Sequence, residues 1–346
     1  MAYTTINKSS LHFNTKLWTG TGSENAITGV GFQPDWVWIK ERNNTTSHRS
    51  FDVLRGATYE VFPDLNDGHS ADAQSLKSFD SDGFTLGTDG ATNGSSDTYV
   101  AWNWKAGGSG SANSNGSVAS TVSANTTAGF SIVKFSYPGS GNFTVGHGLG
   151  VAPKMFILKG LGTANWQVYH ESLGNTNNTQ MNYTNAKTSA ANWWGSTSPT
   201  STVFTVGADL IESGQDGIAY CFAEKKGFSK FGSYKGNASG EGTFIYTGFK
   251  PAFLLIKNAD ASSTDWYMYD NKRGGPLATI YGNVNKYFVK ANSSAAESNE
   301  SLDMLSNGFK MRITNNFLNG SGNQMIYMAF AEAPLVSTEN IPCTAR

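Results

Sequence analysis

Apolar and polar positions along this chain follow a strand rhythm, and one phrase of that rhythm occurs three times. Gly31-Phe32-Gln33-Pro34-Asp35-Trp36-Val37-Trp38-Ile39-Lys40 returns as Gly150-Val151-Ala152-Pro153-Lys154-Met155-Phe156-Ile157-Leu158-Lys159. It returns again as Gly248-Phe249-Lys250-Pro251-Ala252-Phe253-Leu254-Leu255-Ile256-Lys257. Each version is a Gly/Pro turn, an apolar run of strand length, and a lysine where the strand is expected to leave the core. Other elements recur in the same order around it. An opening strand is predicted over 11–18, 130–137 and 228–234, and an aromatic-rich closing strand over 99–104, 218–222 and 326–330. A further strand pair is predicted at 76–84, 202–206 and 302–309, where Asp82-Gly83 and Asn307-Gly308 favour the positive φ of a hairpin turn.

Recurrence of this kind means a repeated building block, and it decides the fold reading before any local motif. Units of roughly 100 residues with several short strands predict an all-β protein of three sequence-related antiparallel β-sandwich units. The expected bounds are 1–106, 129–227 and 228–334, with a Gly/Ser/Asn-rich linker or edge strand at 107–128 and a C-terminal tail at 335–346. The second and third units join at Lys225-Lys226-Gly227 with almost no linker. Helical periodicity is nearly absent, with single turns predicted at 74–77 and 291–297.

Composition sharpens this picture. Charged residues are 15% of the chain, while 39 glycines and abundant Ser, Thr and Asn supply turns. Aromatics at 13% supply core area and exclude a disordered chain. A net charge of −1 excludes a broad electrostatic footprint for nucleic acid. No stretch reaches the ~18 apolar residues of a membrane span, and Met1–Lys8 lacks the apolar segment of a secretion signal. Cys221 and Cys343 cannot build a disulfide framework, so the expectation is synthesis in a reducing cytosol, with Cys221 a small core residue.

Candidate chemistry is sparse. Asp52 and Arg55 occupy the same place in the repeat as Asp270 and Arg273, where the second copy has His170 and Leu173. The pair reads as a charge-assisted contact fixing a strand-to-turn corner rather than a ligand contact. Glu224 and Glu332 are equivalent residues in different copies, which suggests strand-end solvation instead of the paired carboxylates of a glycosidase. The segment Asp64-Leu65-Asn66-Asp67-Gly68-His69-Ser70-Ala71-Asp72 fails the EF-hand pattern, leaving calcium only through a different kind of site. The five histidines show no zinc spacing, so no cofactor is expected. Gly146-His147-Gly148-Leu149-Gly150 leads into a strand and therefore offers no helix N-terminus to a phosphate. The ligand candidates are the aromatic residues of the second copy: Trp193 and Trp194 in a polar loop, with Trp166 and His170.

The phrases Ala2-Tyr3-Thr4-Thr5-Ile6-Asn7-Lys8-Ser9, Gly29–Lys40 and Tyr99-Val100-Ala101-Trp102-Asn103-Trp104-Lys105-Ala106-Gly107 resemble a family of marine tailed-phage virion proteins. Ser123–Val133, Ala329-Phe330-Ala331-Glu332-Ala333-Pro334 and Ile341-Pro342-Cys343 extend the resemblance over essentially the whole chain. It implies concanavalin-like or jelly-roll units in a non-enzymatic virion surface component, made in the host cytoplasm, and offers no catalytic residues. The expected partners are other virion proteins and a host surface glycan or protein, with no nucleic acid and no membrane insertion. A homo-oligomer is expected, a trimer by analogy with fibres. A chain that begins at once with the repeat fits a fibre tip or a capsid decoration better than a fibre shaft. A glycan-cleaving depolymerase is the remaining alternative.

Overall fold

The computed structural model describes residues 3–139, 141–189, 192–208, 210, 215–274, 284–339 and 341–342. Strands make up 47% of the chain and helix 4%, so the fold is all-β and antiparallel. The α-helices among the described residues are single turns, Gly90–Asn93 and Asn316–Asn319. Each is opened by a side-chain cap, Asp89 or Asn315. The helical turns expected at 74–77 and 291–297 are not formed: Leu76 begins a strand, and 291–297 is turn and irregular backbone. Both segments sit where a neighbouring strand offers backbone partners, which outweighs weak local helix preference.

One strand order appears three times. Opening, closing, proline and return strands lie side by side as Phe13–Thr19, Thr98–Trp104, Trp36–Glu41 and Arg49–Asp52. The second set is Phe130–Ser136, Asp216–Phe222, Met155–Gly160 and Trp166–His170. The third is Ser229–Lys235, Gln324–Pro334, Phe249–Asn258 and Trp266–Asp270. We call these the first, second and third blocks. Register makes their positions comparable. Trp36, Met155 and Phe253 lie opposite Trp104, Phe222 and Phe330 on the closing strands, and opposite Asp52, His170 and Asp270 on the return strands.

A second layer covers one face of each block. It is built from Asn25–Thr28, Gly83–Leu86 and Leu76–Asp80 in the first, and Phe143–Gly146 with Val203–Val206 in the second. In the third it is Phe244–Tyr246, Gly308–Met311 and Ser298–Leu305. Residues 107–128 contain the strands Ser111–Asn113 and Ser120–Asn125, the latter paired with the second opening strand from Ser120↔Phe135 to Asn125↔Phe130.

All six residues of Trp36–Glu41 are buried, and so are all six of Met155–Gly160. Alternation explains why both faces need apolar side chains. Val37 and Ile39 pack into a core under the first block's own cover strands. Trp36 and Trp38 point the other way, into a core shared by all three blocks. At its centre the corresponding residues Trp104, Phe222 and Phe330 meet: Phe330 lies 5.9 Å from Trp104 and 6.0 Å from Phe222, ring centre to ring centre. Trp36 of the first block stacks on Tyr220 of the second at 4.2 Å. Among the described residues four cores hold the molecule, one private to each block and one common.

Candidate functional site

The residues selected as ligand contacts are packed away from solvent. Trp166, His170 and Trp194 are each about 1% exposed, and Trp193 is half-buried against the second block's core. Trp194 packs edge-on to Phe156 at 4.8 Å and donates its indole N–H to Asn177 O at 3.1 Å. The loop closes down because Gly207 lacks a side chain: a Cβ there would lie 1.7 Å from Asn192 O. A polar loop sequence concealed a packed core element, and Trp194 presents no free ring face for a sugar.

Trp166 and His170 belong to the junctions between blocks, and so do both Asp–Arg pairs. Arg55 Nε lies 2.6 Å from Asp52 Oδ2, and Arg273 Nε lies 2.6 Å from Asp270 Oδ2, all four side chains being buried. In each, the aspartate's Oδ1 accepts two backbone N–H groups of the following turn. Its Oδ2 reaches the next block. Tyr220 of the second block donates to Asp52 at 2.8 Å, and Trp102 of the first donates to Asp270 at 3.0 Å. The third junction lacks this pair for a visible reason. Met328 stands where the others have Tyr220 and Trp102, and it has no proton to give. His170 replaces the aspartate there: its Nδ1 accepts Ser172 N–H at 3.2 Å, so Nε2 carries the proton and donates to Tyr327 O at 3.2 Å. Burial lowers the His170 pKa to about 4.

A second cyclic contact runs the same way round. Trp166 donates its ring N–H to Phe62 O at 2.8 Å, Trp266 to Gln180 O at 2.9 Å, and His48 to Lys290 O at 3.0 Å. These three acceptors occupy one register position, next to the residue paired with Ser50, Val168 or Met268. Backbone bonds repeat too: Ala164 to Asn66, Thr264 to Thr184 and Thr46 to Ser294, at 2.8, 3.2 and 2.9 Å.

The recurring lysines were expected at the strand exits, leaving the core. They are instead fully buried. Lys159 Nζ donates to Gly162 O, Ala164 O and, across a junction, Asn66 O, at 2.9, 2.8 and 3.3 Å. Lys257 similarly reaches Thr264 and, across the next junction, Thr184 O at 3.2 Å, and Lys40 caps Glu41 O and Asn44 O. Each ammonium draws together the carbonyls of the loop that follows its strand, and Asn66 O and Thr184 O accept a backbone N–H as well. Desolvation lowers the Lys159 pKa to about 7 and those of Lys40 and Lys257 to about 8.

A family model described as a domain of unknown function, DUF7483, matches residues 8–334 and so runs unbroken through all three blocks. The chain belongs to that family. No curated protein and no solved structure matches it. In this DUF7483 member the first acid of the segment 64–72 is structural: Asp64 is buried and accepts His48 N–H at 3.0 Å. Among the described residues no group of three or more His, Cys, Asp or Glu is placed to hold a metal, and no helix is long and apolar enough to cross a membrane. Cys221 is buried and free, while Cys343 lies outside the described residues.

Exposed aromatic side chains cluster on the third block's cover. Phe244 and Tyr246, 44% and 48% exposed, flank buried Ile245 on one strand. Tyr3 joins them, its hydroxyl 3.4 Å from that of Tyr246 and donating to Gly248 O at 2.8 Å. Gly248 is needed there, having φ +82 and room for Tyr3 only without a Cβ. The sequence signal was the alternation Phe-Ile-Tyr, legible only once the buried middle residue identifies the outward face.

Proposed function

We propose that this chain is a non-enzymatic surface component of a tailed-phage particle, of tail-fibre or adhesin type, that contacts the host surface. In this reading it is three copies of one β-sandwich unit wound about a common axis. One observation supports it above the others: the groups that could carry chemistry serve as frame. Asp52, Arg55, His48, His170, Asp270, Arg273, Lys159 and Lys257 are all buried, and each one sits at or beside a junction between blocks. Buried, mutually satisfied polar groups rigidify a structure and specify one arrangement of its parts. A stiff frame with recognition left to the surface suits a particle component. The threefold arrangement that fibres assemble from three chains would here be supplied within one.

The test is an antibody to this chain applied to purified particles under the electron microscope, with adsorption of the purified chain to host cells measured alongside. Label at the tail tip with cell adsorption supports the adhesin reading. Label spread over the capsid without adsorption reassigns the chain to decoration, and unlabelled particles overturn the virion reading altogether.

A further inference from the structure

The exposed rings of the third block are not required by the frame. Register aligns Phe244 with Ala26 and Thr144 in the other two blocks, and Tyr246 with Thr28 and Gly146, because Ile245, Ile27 and Val145 face Phe309, Phe84 and Phe204. Two blocks manage this strand with small residues, so the aromatic pair is an addition peculiar to one. Two lysines accompany it. Lys226 Nζ lies 4.5 Å from the centre of the Tyr3 ring, and Lys230 Nζ lies 5.5 Å from that of Tyr246. Neither lysine makes an ion pair among the described residues, whereas Lys250 and Lys310 nearby are paired with Glu332 and Glu241.

We propose that Phe244, Tyr246 and Tyr3, with Lys226 and Lys230, form a binding surface for an acidic polysaccharide. The inference deepens the adhesin reading and rests on it. Side chains two apart on a strand repeat every ~6.5–7 Å, so the rings form a short row on which the C–H faces of successive sugars can lie. The two unpaired ammonium groups beside that row supply the complement to carboxylate or sulfate. A neutral glycan would leave those charges without a partner. A nucleic acid strand would need a longer cationic track than two lysines on a chain of net charge −1.

The full chain would be titrated at low salt with a galacturonic acid oligosaccharide. A neutral maltooligosaccharide, a polyglutamate peptide and an oligo-dT strand serve as comparisons. We expect saturable binding of the uronate at least tenfold tighter than any of the three. Phe244→Ala with Tyr246→Ala should weaken it at least tenfold at unchanged Tm, since both side chains are exposed. Lys226→Gln with Lys230→Gln should weaken it and flatten its dependence on salt. Equal or tighter binding of peptide or oligo-dT, no uronate binding, or binding untouched by both double variants overturns the proposal. Adsorption to host cells separates this failure from that of the parent reading. If the wild-type chain and the Phe244→Ala/Tyr246→Ala variant adsorb equally, the adhesin reading stands and this surface is wrong. If the wild-type chain does not adsorb, the adhesin reading fails on its own account.

Discussion

Tyr220 donates its hydroxyl to Asp52 Oδ2 at 2.8 Å, joining two blocks through a carboxylate that also neutralises Arg55. The same relation holds between Trp102 and Asp270, with Arg273 stacked 5.3 Å over the Trp102 ring. Both pairs therefore act twice, once at the corner of their own return strand and once at the junction. The occupant of the donor position on the neighbouring closing strand, Tyr, Trp or Met, goes with the occupant of the acceptor position, Asp, Asp or His.

Removing a carboxylate and removing its donor should differ in cost. Asp52→Ala leaves Arg55 charged and unpaired in the interior, for an expected loss of about 3–5 kcal/mol. Tyr220→Phe removes a hydroxyl donor from a carboxylate that keeps Arg55 and two backbone N–H groups, for about 1–2 kcal/mol. Urea unfolding of the two variants measures both, and equal losses would refute the double role.

The junction between the second and third blocks should be convertible. His170→Asp alone places a carboxylate near Tyr327 O, with Leu173 where the other junctions have an arginine, and is expected to lose several kcal/mol, as buried unpaired charges do. Adding Leu173→Arg and Met328→Tyr rebuilds the arrangement of the first junction. Recovery of most of the lost Tm in the triple variant is the expected result of a thermal melt. A triple variant no more stable than the single one would mean that the junctions are not interchangeable.

His170 also sets an acid dependence. Its folded pKa, near 4, lies below the ordinary value of 6.5, so the unfolded chain binds the proton more tightly. Its contribution to stability is complete above pH 6.5 and falls away as the pH drops towards 4, by at most about 3 kcal/mol. His48 acts with the same sign, its burial also holding it neutral. The urea midpoint of wild type should therefore fall more between pH 7 and pH 4.5 than that of His170→Gln. Parallel slopes would contradict the assignment.

Two lysines five residues apart in sequence should behave oppositely. Lys159→Met removes the ammonium that joins Gly162 O and Ala164 O and one of the two donors to Asn66 O, an expected cost of about 2–4 kcal/mol. Lys154, half exposed in a surface pair with Glu171, should lose less than about 0.5 kcal/mol on the same change. Thermal unfolding of both variants makes the comparison.

Much of the strand inventory was open to sequence reading because turns and apolar runs are local signals. The proline, opening and closing strands all fall where the repeat put them, and the corresponding positions of Asp52, His170 and Asp270 follow from spacing alone. The loop aromatics misled because exposure is not a local property. Trp193 and Trp194 lie among polar residues, yet the core they close comes from strands at 143–146, 155–160 and 203–206. The buried lysines misled similarly, since the loops that fold back over them, and for Lys159 and Lys257 a carbonyl of the neighbouring block, are placed by tertiary packing.

The sequence by itself determined the period of the chain, its all-β character and the correspondence between its three segments, because these depend on residue order and spacing. It also carried one clue to the assembly. Runs such as Trp36-Val37-Trp38-Ile39, apolar at successive positions, need cover on both faces of a sheet. A two-layer sandwich provides only one. Tertiary structure decided what provides the second cover: the other two blocks, meeting at Trp104, Phe222 and Phe330. It decided as well which polar groups turn inward. Hydrogen-bond partners far apart along the chain, such as Tyr220 for Asp52 or Asn66 for Lys159, are set by the packing of whole sheets.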